Sequence, residues 1–98
     1  MLVRIVKMTF KPDEIEAFKV LFEANKDKIR NVEGCLFLEL YQDLRNKSVF
    51  FTYSYWKNET NLENYRKSSL FQKIWSSTKV KFNAKPEAWS VQKLVSLK

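Results

Sequence analysis

The 98-residue chain contains no histidine, one cysteine and one glycine. Without histidine there is no imidazole for a Ser-His-Asp triad, for a histidine-ligated metal or for a proximal haem ligand. A lone thiol, Cys35, has no partner for an internal disulfide and is too little to anchor a zinc site. Phosphate-cradling loops and dinucleotide fingerprints need several glycines where the backbone approaches the ligand, and Gly34 stands alone. The longest uncharged run, Ser48–Trp56, has nine residues, against the roughly 20 that a membrane span requires. The first ten residues carry Arg4 and Lys7 within their apolar run and show no small-residue cleavage site, so no signal peptide is read and a cytoplasmic location is expected.

What the chain has in quantity is aromatic side chains, 15% of its residues, and positive charge. The net charge of +7 is lopsided. Residues 1–63 hold ten basic and ten acidic side chains, whereas residues 64–98 hold eight basic ones against Glu87 alone. Such a basic third suits either a solvated helix face or contact with nucleic acid. No glycine-rich or RNP-like motif accompanies the lysines, so no nucleic-acid partner is expected.

Along the chain the hydrophobic period alternates between two and about 3.6 residues, and 98 residues are expected to form one domain. Residues 2–10 read as a strand apolar on both sides, with Leu2, Val6, Met8 and Phe10 opposing Val3 and Ile5. A helix follows. Its expected cap is Asp13, with Glu16 at capping-box spacing, its stripe is Ile15, Phe18, Leu21, Phe22 and Ile29, and Gly34 lies just beyond its end. The second strand sets Leu36, Leu38 and Leu40 against Cys35, Phe37 and Tyr41, with Glu39 paired to Arg4 or acting as a base. The third, Val49–Trp56, has Phe50 and Trp56 on one side and Phe51, Tyr53 and Tyr55 on the other. Residues 58–82 read as helix, capped at Asn58 or Thr60, with a fresh start at Ser68 and closure by Pro86. "AWSVQKLVSL" is the fourth strand.

The fold expected is α+β, a ferredoxin-like β-α-β-β-α-β with a four-stranded antiparallel sheet and helices on one face. Three strands then carry apolar side chains on the uncovered face. A second copy of the same sheet, related by a two-fold axis, is the simplest cover.

This arrangement, with "GCLFLELYQD", the aromatic strand "FFTYSYW" and above all "YWKNETNLENYRKSSLFQ", resembles the antibiotic biosynthesis monooxygenase (ABM) domain family of the dimeric α+β barrel superfamily. The resemblance implies a homodimer and, in each protomer, a pocket between sheet and helices for a small aromatic or quinol-like molecule. It implies oxygen chemistry without a cofactor. Where relatives often place histidines on the second helix, this chain has Tyr65 and Leu70, and at the positions used for haem degradation it has Tyr65, Trp75 and Val6. Haem degradation is therefore not expected.

The resemblance makes Tyr65 the candidate catalytic residue, with Asn64, Arg66, Phe71 and Trp75 as candidate substrate-binding residues. Each has a plainer alternative. Phe71 and Trp75 at helical spacing also suit a core, Arg66 a surface, and Cys35 a small buried hydrophobe. A tyrosine is a poor base unless a neighbour such as Arg66 lowers its pKa. Two functions remain open: a cofactor-independent monooxygenase, or a non-catalytic dimeric small-molecule-binding or stress-response module of the same fold.

Overall fold

In the computed structural model, which describes residues 1–98, the chain runs β1 (Leu2–Thr9), α1 (Ile15–Arg30), β2 (Cys35–Gln42), β3 (Val49–Trp56), α2 (Glu59–Lys67), α3 (Ser69–Lys79) and β4 (Glu87–Gln92). The strands form one sheet in the order β2-β3-β1-β4, with every neighbouring pair antiparallel. The helices lie on one face. This is the ferredoxin-like arrangement expected, with the second helical segment divided in two at Ser68. No helix is long and apolar enough to cross a membrane.

The helix-covered face can be followed row by row across the strands. Gln42, Phe50 and Met8 form one row, Leu40, Thr52, Val6 and Ala88 the next, then Leu38, Ser54, Arg4 and Ser90, and last Cys35, Trp56, Leu2 and Gln92. Along β3 the outer rows carry the large anchors Phe50 and Trp56 and the middle rows carry the small Thr52 and Ser54. Two separate cores result. In one, Met8, Phe10, Phe18 and Phe50 pack beneath α1, with Phe10 stacked on Phe18 at 4.2 Å between ring centroids. In the other, Cys35, Trp56 and Leu62 pack beneath α2.

Several boundaries differ from the sequence reading, each for a visible reason. Asp13 is not the cap of α1, because Pro12–Glu14 form a 3₁₀ turn and the cap position falls to Glu14, which makes no side-chain cap bond. A β-bulge between Cys35 and Phe37 swings Leu36 out to 47% exposure and turns Cys35 inward beside Trp56, reversing the faces expected for those two residues. Glu39 and Arg4 lie on opposite faces of the sheet, so they cannot pair; Glu39 instead accepts a hydrogen bond from Tyr41. α3 ends at Lys79, well before Pro86, because the following backbone pairs with the end of β1 through Lys11 N–H to Lys81 O and Asn83 N–H to Thr9 O. That pairing brings Phe82 against Phe10 at 5.3 Å. β4 stops at Gln92, opposite Leu2, where β1 has no further residue to pair.

Gly34 has φ of +86° and carries the turn into β2. It lies three residues past the helix cap, Asn31, so its service is to the turn and not to the helix end. It has a second duty. A Cβ there would fall 2.3 Å from Cγ of Asn61 in α2. Gly34→Ala is therefore expected to destabilise the protein by at least the ~1–2 kcal/mol of a left-handed conformation, measured by urea denaturation; an unchanged midpoint would refute this account of the turn.

Candidate functional site

Between the two cores the small residues Thr52 and Ser54 leave the helices without a partner of matching size. A cavity of about 290 Å³ opens there. Its floor is the middle of the sheet, and its walls include Phe18, Phe22 and Ile29 from α1 and Phe71, Ile74 and Trp75 from α3. This size lies near the lower end of the roughly 300–1,000 Å³ of small-molecule pockets.

The break at Ser68 builds the roof. Six residues along an unbroken helix, at about 100° each, would put Tyr65 and Phe71 on different sides. Instead Ser68 is extended (φ −72°, ψ 156°), and its Oγ donates to Tyr65 O at 2.6 Å while accepting from Phe71 N–H at 3.1 Å. The corner sets the two rings edge to face at 5.2 Å. Tyr65 also stacks on Trp56 at 5.2 Å, Phe71 on Trp75 at 5.8 Å, and Trp75 meets Phe82 edge-on at 5.5 Å. A continuous aromatic chain thus joins the two cores across the cavity.

Tyr65, Arg66, Phe71 and Trp75 all line this space. Asn64 does not; it is exposed on α2. Burial pushes the Tyr65 phenol up to about 12, with a smaller contribution from the nearby Cys35, so Arg66 does not make it a base. Arg66 is held by Glu63 at 2.8 Å one turn back on α2. Burial raises the Cys35 thiol as well.

Sequence reading passed over Arg4 as part of the site. Its side chain rises from the centre of the sheet floor, with Ser54 and Ser90 opposite it on the neighbouring strands, and it lines the cavity. Burial, then the charge of Arg66, holds its guanidinium below the ordinary value. The signal was present in the alternation, since Arg4 shares its side of the strand with Leu2, Val6 and Met8. No group of three or more cysteine, aspartate or glutamate side chains converges as a metal-binding set.

The sequence of residues 1–75 matches the model of the antibiotic biosynthesis monooxygenase family. The chain belongs to that family. A crystallised antibiotic biosynthesis monooxygenase superposes with a TM-score of 0.90 at 18% identity, over 97% of this chain and 100% of its own. A conserved protein from Methanosarcina mazei Go1 gives 0.88 at 24% identity, over 95% of this chain and 93% of its own. A Pseudomonas aeruginosa protein gives 0.85 at 21%, over 96% and 94%. No curated protein matches. At these identities the superpositions show that the ABM fold is kept, and they carry nothing about the ligand.

The Tyr65 phenol has a consequence for stability. Its folded value near 12 exceeds the ordinary 10, so between those pH values the unfolded chain loses a proton that the folded chain keeps. Stability falls as pH rises through that window. The wild type is expected to lose roughly 2–3 kcal/mol more than Tyr65→Phe between pH 9.5 and 12. Parallel alkaline profiles for the two proteins, by denaturant titration, would contradict the buried phenol.

Proposed function

We propose that the protein is a cofactor-independent monooxygenase acting on an aromatic or quinol-like small molecule. The observation that carries this reading is the cavity walled by Tyr65, Phe71 and Trp75, which sets aromatic rings beside the hydrogen-bond donors Arg4, Tyr65 and Arg66. A phenol or aryl ketone bound there is flanked by rings that exclude water, which strengthens every polar contact inside. Once ionised, such a substrate is electron-rich enough to pass an electron to O₂. In the overall change an activated CH₂ and O₂ become C=O and H₂O, with one oxygen atom going to each product. The protonated Tyr65 phenol serves as a donor to the substrate oxyanion and not as the proton acceptor. Phe71 and Trp75 supply stacking surface.

Oxygen uptake with a panel of quinols and polycyclic phenols, without added metal or flavin, tests this. Turnover is expected, and Tyr65→Phe should lower it by ~10²–10³, the usual worth of one oxyanion donor. A specific observation favours the second reading, a non-catalytic binding or stress-response module: the phenol and the thiol near the site are both held protonated. Tight binding of a panel member with no oxygen consumption would replace the enzyme by that module. Full activity in Tyr65→Phe would remove Tyr65 from the site.

The same proposal includes a homodimer through the uncovered sheet face. Phe37 and Tyr55 stack there at 4.5 Å, Tyr53 lies against both, and Trp89 and Val91 of β4 continue the surface at 44% and 43% exposure. Beyond β4, Leu94, Val95 and Leu97 are more exposed still. A second copy of this face offers an aromatic surface of the same kind, the self-complementarity that a two-fold contact requires. Sedimentation at micromolar concentration is expected to give a dimer. Tyr53→Glu, which would bury a charge opposite Ile5 and Glu39 with no cation as its cross-strand partner, should give a monomer or unfolded chain. A well-folded wild-type monomer would end the proposal.

A further inference from the structure

The two guanidinium groups at the cavity have no obvious structural reason to meet there. Arg4 projects from the middle strand of the sheet among Val6, Leu38 and Trp56, where an aliphatic residue would fill space at no electrostatic cost. Its one hydrogen bond goes to Ser90 Oγ at 3.0 Å, which uses one of five donors. The chain's four ion pairs join other residues or, for Arg66, use a carboxylate outside the cavity lining. Glu87 is the one acidic residue among the lining side chains. Its register opposite Lys7 puts its carboxylate on the other face of the sheet, 3.9 Å from that lysine. Arg4 is thus a partly buried cation without an ion-pair partner of its own, repelled by Arg66 and attracted more weakly by the Glu63 carboxylate that Arg66 already holds. Such a group is costly unless something completes it.

The sheet is arranged to keep this cation available. Ser54 and Ser90 flank Arg4 across both strand interfaces, and neither covers it. The Ser54 hydroxyl is already engaged by Trp56 Nε1–H at 3.0 Å, which anchors the neighbouring indole and not the arginine. Arg66 closes the opposite side from α2, its position fixed by the ion pair to Glu63. Between them lies an apolar space bounded by Tyr65, Phe71 and Trp75.

We infer that the ligand of this cavity is an apolar ring compound bearing a carboxylate, its ring among the α3 aromatics and its carboxylate held between Arg4 and Arg66. Guanidinium forks match the two oxygens of a carboxylate, and such charge-assisted bonds are about twice as strong as neutral ones. A neutral ring of the same shape satisfies the aromatic wall and leaves the cations unpaired, so the site discriminates by charge as well as by shape. This specifies the substrate class of the site described above and rests on that cavity being a ligand site, though not on its oxygen chemistry.

The test compares 2-naphthoate with 2-naphthamide, which share the ring system and differ in charge, by titration calorimetry on the full chain at neutral pH. Naphthoate is expected to bind at least ~10-fold more tightly. Arg4→Gln and Arg66→Gln should each shrink that preference, weakening naphthoate binding more than naphthamide binding, and leave the circular dichroism spectrum intact. Arg4→Lys should retain part of the preference. Equal affinity for the two probes, or a preference that survives both glutamine substitutions, overturns the inference. Should Arg4→Gln fail to fold, Arg66→Gln on the outer helix still decides. Failure of both probes to bind removes the cavity as a ligand site altogether. A carboxylate preference in a protein that consumes no oxygen leaves the inference standing and removes only the monooxygenase.

Discussion

The size sequence along one side of β3, large at Phe50, small at Thr52 and Ser54, large at Trp56, governs most of what this fold can do. Interiors pack at crystal-like density, so helices resting on two bulky anchors cannot also reach down to two small residues between them. The two cores form beneath α1 and α2, and the space between them stays open. An all-large β3 would fuse the cores and close the site. The extra turn-and-restart at Ser68 belongs to the same solution, since it lets α2 follow the Trp56 core while α3 spans the gap.

That open space has a one-sided chemistry. Tyr65 stays protonated to high pH because burial penalises the phenolate, and Cys35 stays a thiol for the same reason. Arg4, although burial lowers its pKa, remains a cation. Every one of these groups donates hydrogen bonds or positive charge. A site of this kind stabilises negative charge on what it binds and offers little that removes a proton. Any acidity in a reaction here belongs to the substrate, its pKa lowered by the donors around it.

The layout was legible in the sequence because it depends on local periodicity. Period-two runs marked β1, β2 and β3, the helical stripe of Phe18 and Ile29 marked α1, and Asn58 and Ser68 announced two helix starts, as their bonds to Asn61 and Phe71 N–H confirm. What escaped depends on contacts between distant segments. The bulge at Leu36 shifts the register of β2, and no local signal distinguishes Cys35 inward from Cys35 outward. The end of α3 is set by pairing of Lys81 and Asn83 with β1, some 70 residues earlier. At the site, resemblance to the family grouped Asn64, Tyr65, Arg66, Phe71 and Trp75, and all but Asn64 line the cavity, from two helices that meet at Ser68. Arg4 could not be joined to them without the sheet order that puts β1 next to β3.

Family membership and site chemistry accordingly rest on different residues. The match over residues 1–75 spans β1 to β3, α1, α2 and part of α3, and so both cores. Packing energies are spread over many contacts, so the fold tolerates identities as low as 14%. The polar character of the cavity rests on a few side chains, Arg4, Tyr65 and Arg66 among them. Arg4 and Arg66 belong to neither core, which are anchored on Phe10 and Phe50 and on Trp56 and Leu62, whereas Tyr65 packs against the second. A cavity held open by small residues between two self-sufficient cores is free to change its ligand without refolding. Exchange of Arg4 or Arg66 would change the polarity of that space and leave the packing of Phe10, Phe50, Trp56 and Leu62 as it is.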